Sequence, residues 1–125
     1  MIARRELLTA MAAMTALILP GNKLEARNLE EVFPEYGLIG QIVALPGRRA
    51  DLIAIIKRSP EEMPGNMGYL VGEDATNPDA IWIVEVWQTR EHHSAALGLS
   101  HVRAAIEQAR PLIAGFGARH EFVPA

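Results

Sequence analysis

The sequence predicts a single small α+β domain whose elements follow one another in the order β-α-β-β-α-β. Its 125 residues leave room for one compact domain, and the 50% that are hydrophobic are enough to build a core. Segments rich in β-forming residues alternate with segments whose apolar residues recur at helical spacing, and turn-forming residues separate them. This order is typical of the split βαβ, or ferredoxin-like, arrangement.

The first half of the predicted domain contains two strands and one helix. Residues 38–45 are rich in β-forming side chains and end at a Pro-Gly pair, which is a stop signal. The next apolar residues recur at helical spacing, which predicts a helix around Leu52 and Ile56. A short strand is expected through Tyr69, and the turn-forming residues within 72–79 predict a hairpin connection.

The second half contains the strongest strand prediction, residues 80–88. Thr89 and Ser100 are residue types that cap helices, so we expect one helix after Thr89 and a longer one after Ser100. Apolar residues form one stripe along the longer helix, and the glycines from Gly115 onward are expected to end that helix. Residues 119–123 then form the last predicted strand.

The strongest strand is apolar on both faces, which predicts a second copy of the chain. One face carries Ile81, Ile83, Glu85 and Trp87, and the other carries Trp82, Val84 and Val86. The predicted topology places its helices on one side only, and burying each such apolar side chain is worth roughly 1.5–3 kcal/mol. Two sheets packed face to face would form a dimeric α/β barrel around an apolar pocket. The alternative is that the N-terminal segment folds over the open face.

Residues 1–30 are predicted to lie outside the domain, which is expected to span 36–125. Arg4 and Arg5 precede a short apolar stretch that ends near Leu19, a pattern that resembles a twin-arginine export leader. About 20 apolar residues are needed to span a bilayer, so stable membrane insertion is not expected. A leader would place the protein in the periplasm. The alternative is an additional N-terminal helix on a cytoplasmic protein.

Charge and composition exclude several classes of function. The formal net charge is -3, so the chain lacks the basic surface with which proteins bind a phosphate backbone, and nucleic acid is not an expected partner. Cysteine is absent, which excludes disulfides, thiolate metal sites and cysteine nucleophiles.

Four short motifs occur in order along the predicted domain. They are Pro64-Gly65 with Tyr69 four residues later, Glu85-Val86-Trp87, Glu91-His92-His93 and Ser100-His101. Together they resemble the antibiotic biosynthesis monooxygenase superfamily, which includes quinol monooxygenases and small polyketide-tailoring oxygenases. The resemblance covers residues 37–123 and implies a dimeric ferredoxin-like barrel. It also implies a cofactor-independent monooxygenase, without metal, flavin or heme, that acts on a small phenolic, hydroquinone or polyketide-like aromatic with dioxygen.

The resemblance implies three candidate catalytic residues. Trp87 matches a pocket tryptophan of the polyketide-tailoring members, whose ring would stack on the substrate while its N–H donates to a developing oxyanion. The alternative is a core tryptophan. His93 falls where those members place a pocket tyrosine, and a histidine there can exchange a proton at neutral pH. His101, in the first turn of the long helix, would help to hold a phenolate. A surface or capping role is the alternative for both histidines.

Three further residues are candidates for substrate binding. Glu85 shares a face with Trp87 and would be buried, so it needs a hydrogen-bond partner. We expect this partner on the neighbouring helix, with a role as general base as the alternative. Asn66 and Tyr69 are expected to line the mouth of the pocket.

Other activities of this fold do not match the residues present. The polyketide-tailoring members have an asparagine where this chain has Ile83, so part of their site is missing. Heme-degrading relatives need an asparagine, a tryptophan and a heme-ligating histidine where this chain has Gly40, Ala96 and Ile106. A metal site is not expected either, because adjacent histidines point to different sides of a helix.

The sequence is also consistent with a different class of function. The domain can instead be a non-catalytic dimeric protein that binds a small hydrophobic ligand, because fold alone does not fix function. Oxygen uptake with hydroquinones separates the two hypotheses.

Overall fold

The computed structural model describes residues 33–58 and 62–125, which form a four-stranded antiparallel sheet with helices packed on one face. The elements are β1 (Tyr36–Ala44), α1 (Arg49–Arg58), β2 (Asn66–Glu73), β3 (Ala80–Trp87), α2 (Arg90–Ala96), α3 (Ser100–Ala109) and β4 (Ile113–Phe122), with a 3-10 turn (Arg110–Leu112) between α3 and β4. The leader or helix predicted for residues 1–30 lies outside the described residues. No helix within 33–58 or 62–125 is long and apolar enough to cross a membrane.

The strand order in the sheet is β2-β3-β1-β4, and every neighbouring pair is antiparallel. Each of the two crossovers, β1-α1-β2 and β3-α2-α3-β4, therefore skips one strand. This is the ferredoxin-like topology, so the predicted fold class is confirmed. The second copy of the chain remains a prediction.

The face of the sheet that packs on the helices contains the core. Residues paired across antiparallel strands share a face, and Trp87 of β3 pairs with Tyr36 of β1. One cluster of buried residues joins α1 to β3 through contacts around Leu52 and Ile81. A second cluster surrounds Trp87 and includes Val102 of α3. The two clusters lie under opposite ends of the helical layer.

The predicted start of α2 is confirmed, whereas the predicted limits of α3 are wrong. Thr89 caps α2, because its Oγ1 accepts a hydrogen bond from the backbone N–H of His92 at 3.1 Å. The N-cap of α3 is Leu99 rather than Ser100, and it makes no side-chain capping bond. β4 begins at Ile113, six residues earlier than predicted, so Gly115 lies in a strand. Pairing of β4 with β1 outweighs the weak strand propensity of glycine.

The opposite face of the sheet is apolar, and the described helices all pack on the other side. Its central side chains, Ile39 of β1 and Trp82, Val84 and Val86 of β3, are half-buried. Leu70 and Phe122 are exposed on the flanking strands. We call this surface, made of these six side chains, the open face.

Candidate active site

A cavity of about 610 Å³ lies between the sheet and the helices. This volume is in the range of small-molecule sites. The cavity exists because the helices present small side chains to it, namely Ala96, Ala105 and Ala109, opposite Ile83 of β3. Apolar side chains make up most of its wall.

Four of the six predicted site residues line this cavity: Tyr69, Glu85, Trp87 and His93. Glu85 and Trp87 alternate along β3 and therefore point to the same face. Tyr69 of β2 pairs with Glu85, which brings it to that face as well. His93 reaches the cavity from α2. The alternation of β3 and the Thr89 cap thus position a carboxyl, an indole and an imidazole together. We call this group the polar end of the cavity.

Trp87 is 1% exposed, and its N–H is directed at a side chain of its own strand. Nε1 donates to Oε1 of Glu85 at 3.2 Å. The hydrogen-bond partner that was expected for Glu85 on the neighbouring helix is therefore corrected to Trp87 on the same strand. Residues two apart on a strand share a face, which makes this local bond available without a helix.

Burial raises the pKa of the Glu85 carboxyl above its usual value, and the hydrogen bond from Trp87 opposes part of this rise. The folded protein therefore favours the protonated form of Glu85 more than the unfolded chain does. The contribution of Glu85 to stability is therefore greatest at low pH, falls as the pH rises through the usual carboxyl pKa, and stays reduced above the raised pKa.

Replacing Glu85 by glutamine is expected to raise the Tm at pH 7.5, because the amide carries no charge to desolvate and still accepts from Trp87. Each kcal/mol gained corresponds to about 4–8 °C in a domain of this size. The gain should shrink toward pH 4, as measured by thermal unfolding at both pH values. Glu62→Gln, at an exposed position before β2, is the control and should change neither Tm. A lower Tm for Glu85→Gln at pH 7.5 would contradict this account.

His93 is held between two aromatic rings. Its ring centroid lies 5.4 Å from that of Trp87, in an edge-on arrangement, and 5.5 Å from that of Tyr36. Burial lowers the pKa of His93, and the positive charge of Arg119 lowers it further, whereas Glu121 acts in the opposite direction. The imidazole is thus predominantly neutral at neutral pH and can accept a proton from a ligand.

Tyr36 belongs to the surroundings of His93, although the sequence did not single it out. The guanidinium of Arg90 lies 4.9 Å from the centroid of its ring. Burial raises the pKa of the Tyr36 phenol, and the neighbouring Glu121 raises it further. Glu121 also pairs with Arg90 at 2.5 Å. The pairing of β1 with β3 places Tyr36 beside Trp87, and no local sequence pattern reveals this register.

The structure does not bring the other two predicted residues, His101 and Asn66, to the cavity wall. His101 is exposed in the first turn of α3. Asn66 begins β2, where its Nδ2 donates to the carbonyl of Gly68 at 3.4 Å. Neither is among the residues that line the cavity. Their functional roles stay predictions from the resemblance.

The side chain of His92, next to His93, contacts Thr89 and Gly65. Its Nδ1 lies 2.7 Å from Oγ1 of Thr89, and its ring packs directly over Gly65. In the described part of the chain, no group of three His, Cys, Asp or Glu side chains is arranged to hold a metal ion.

The fold and the cavity define a class of protein: a ferredoxin-like α+β domain with a largely apolar cavity, of small-molecule size, between sheet and helices. The family model for antibiotic biosynthesis monooxygenases matches residues 36–108. The crystal structure of a protein from Chloroflexus aurantiacus that is assigned to the same family is 50% identical in sequence. The match covers 72% of this chain and 92% of that chain, with a TM-score of 0.70. The chain therefore belongs to the antibiotic biosynthesis monooxygenase family.

More distant structures share the fold. A protein from Caulobacter crescentus matches with a TM-score of 0.67 at 14% identity, over 79% of this chain and 98% of that chain. A protein from Nitrosomonas europaea matches with a TM-score of 0.62 at 18% identity, over 74% and 91% of the two chains. No curated protein matches the chain.

Proposed function

We propose that this chain is a cofactor-independent monooxygenase that oxidises a small phenolic or hydroquinone substrate with dioxygen. The observation that carries the proposal is the polar end of the cavity, where a neutral imidazole and a buried carboxyl–indole pair face an otherwise apolar space. The aromatic ring of the substrate would occupy the apolar part, with its hydroxyl toward His93. Membership of a monooxygenase family supports the reaction class.

The proposed reaction takes its electrons from the substrate. His93 accepts the phenolic proton, and the anion passes one electron to dioxygen, which gives a phenoxyl radical and superoxide. The two radicals combine in a new carbon–oxygen bond, and the proton on His93 returns to the peroxide. The oxygen–oxygen bond then breaks as the ring C–H proton is lost, and water leaves. Each turnover thus consumes one dioxygen and forms one quinone and one water.

The apolar wall assists this reaction in two ways. It keeps bulk water from the anion and its radical, and it strengthens the interaction between the anion and the protonated imidazole. The Trp87 ring is almost fully buried in the cavity wall, where its N–H is held by Glu85. This bond also keeps the carboxyl of Glu85 directed at Trp87 rather than at the substrate.

An oxygen electrode tests the function with a panel of hydroquinones and phenols, including menadiol-like compounds. Wild-type protein is expected to consume oxygen faster than buffer, and Trp87→Phe is expected to lower this rate because it removes the N–H that holds the Glu85 carboxyl at the cavity wall. His101→Ala, measured in parallel, tests the role that the resemblance gives to His101. Release of oxygen on adding catalase would indicate that dioxygen is reduced to peroxide rather than inserted. Ligand binding without any acceleration of oxygen uptake would favour the non-catalytic binding protein.

We also propose that a second copy of the chain covers the open face. Four half-buried apolar side chains and two exposed ones lie on this face, which is a large apolar surface for a small monomer to leave in water. A facing sheet would bury them at a spacing of about 10 Å. The N-terminal segment as the cover is the alternative outcome.

Replacing Val84 by lysine is expected to convert a dimer into a monomer, because it places a charge at the centre of the open face. Light scattering after size-exclusion chromatography should give the mass of two chains for the wild type and of one chain for the variant. Ala104→Lys, on the exposed side of α3, should leave the mass unchanged. A wild-type mass of one chain would contradict the dimer.

A further inference from the structure

We infer that Arg110 forms an anion-binding subsite at the end of the cavity remote from His93, so that the preferred ligand is an aromatic body with a carboxylate or other anionic substituent. The inference rests on the proposed function in one respect, namely that the ligand lies in this cavity. It adds a chemical class of ligand and a residue that selects it.

The position of Arg110 follows from the topology. Arg110 begins the 3-10 turn that joins α3 to β4, and it lines the cavity. Ile113, at the start of β4, pairs with Ala44 of β1, whereas Leu38 of β1 pairs with Glu85 of the polar end. Six residues of strand separate Leu38 from Ala44, which is about 20 Å at about 3.3 Å per residue. The two chemically distinct ends of the cavity are thus far apart.

The charge distribution in the cavity is asymmetric. Of the described residues that line it, Arg110 alone carries a permanent positive charge, and the ionisable groups Glu85 and His93 lie at the polar end. The side chains of Arg110 and Glu107 are both largely exposed, at 70% and 72%, and form an ion pair at 3.5 Å. Exposed pairs of this kind are weak. The contact engages Nη2 of a guanidinium that offers five N–H donors, so a carboxylate can bind in its place.

The apolar side chains near Arg110 also point to a bound ligand. Ile106, one helical turn before Arg110, is 38% exposed, and Phe116 of β4 is 75% exposed, yet both line the cavity. Residues four apart share one helix face, so Ile106 and Arg110 present an apolar and a cationic group side by side. An amphipathic ligand would cover Ile106 and Phe116 and place its anionic group against Arg110.

A matched pair of fluorescent probes tests the subsite. N-phenyl-1-naphthylamine is neutral, and 8-anilinonaphthalene-1-sulfonate is the same molecule with a sulfonate. For the full chain, Arg110→Gln is expected to raise the Kd of the sulfonate about three- to tenfold and to leave the Kd of the neutral probe within twofold. Glu107→Gln should act in the opposite direction and tighten sulfonate binding about twofold. Arg103→Gln, an exposed arginine of α3 outside the cavity wall, should change neither.

The salt dependence gives a second measurement that needs no variant. Raising the salt concentration should weaken sulfonate binding to the wild type and leave the neutral probe unaffected. Ala105→Phe, which fills the cavity, should weaken the binding of both probes. Unchanged binding to this variant would show that the probes bind elsewhere and would overturn the inference.

The outcomes separate the inference from the proposed function. Equal effects of Arg110→Gln on the two probes, or no effect on either, would overturn the anion subsite. Oxygen uptake with a neutral hydroquinone would still test the proposed function. Wild-type protein that bound neither probe would overturn the subsite, and oxygen uptake with a small neutral hydroquinone would still test the proposed function. A loss confined to the sulfonate supports Arg110 as the residue that selects the ligand.

Discussion

Replacing His93 by phenylalanine is expected to lower the kcat of hydroquinone oxidation by about 100-fold or more, which is the lower range for the loss of a general base. Phenylalanine keeps a ring between Tyr36 and Trp87 and removes both nitrogens, so the packing is preserved while proton transfer is lost. Oxygen-electrode kinetics measure the effect. Ser94→Ala, on the exposed side of the same helix, is the control and should keep wild-type kcat.

The pH profile of oxygen uptake by the wild-type protein provides a second test of His93. The proposed reaction requires the base form of His93, and burial together with Arg119 and Arg90 lowers the pKa of His93, while Glu121 acts against them. The acid limb of kcat/KM is therefore expected below the ordinary histidine value of about 6.5. Activity should persist at pH 6.5 and fall at lower pH. An acid limb above 6.5, or an unchanged limb in the phenylalanine variant, would assign the proton acceptor elsewhere.

Replacing Gly65 by alanine is expected to lower the free energy of unfolding by about 2–4 kcal/mol, since two effects add. The backbone of Gly65 has a φ of +84°, a left-handed conformation that costs other residues about 1–2 kcal/mol. A Cβ there would also lie 2.3 Å from the ring of His92. The carbonyl of Gly65 accepts from the N–H of Gln88 at 2.7 Å, so a shift would disturb the end of β3. Denaturant unfolding monitored by circular dichroism measures the change.

Two variants separate the causes of this loss. Gly98→Ala, where a Cβ meets only ordinary contacts and φ is not positive, should stay within about 0.5 kcal/mol of the wild type. Adding His92→Ala to Gly65→Ala should recover the part that is due to the clash and leave the part that is due to φ. A stability of Gly65→Ala equal to that of Gly98→Ala would show that the turn can relax at little cost.

The fold was predictable where local and tertiary preferences agree. The alternation of β3 identified which side chains face the helices, and Thr89 marked the start of α2 correctly. The predicted boundary between α3 and β4 was wrong, because glycines such as those in this region often end helices. In the folded chain the backbone from Ile113 onward pairs with β1, and this long-range pairing is not visible in a local pattern.

The candidate site was predictable for side chains that share a strand or follow a cap. Glu85, Trp87 and His93 meet because each position depends on local geometry. Tyr36 and Arg110 were missed because their places depend on the register between β1 and its two neighbours. Errors in the limits of α3 hid Arg110 in particular.

The two ends of the cavity are built by different elements of the fold. His93 is held by α2, whereas Arg110 lies in the turn between α3 and β4, so neither depends on the other for its position. Under the two proposals for this cavity, substitutions in that turn are expected to change which ligands bind while His93 keeps its position. Ligand preference and proton transfer would then be separately adjustable by substitution.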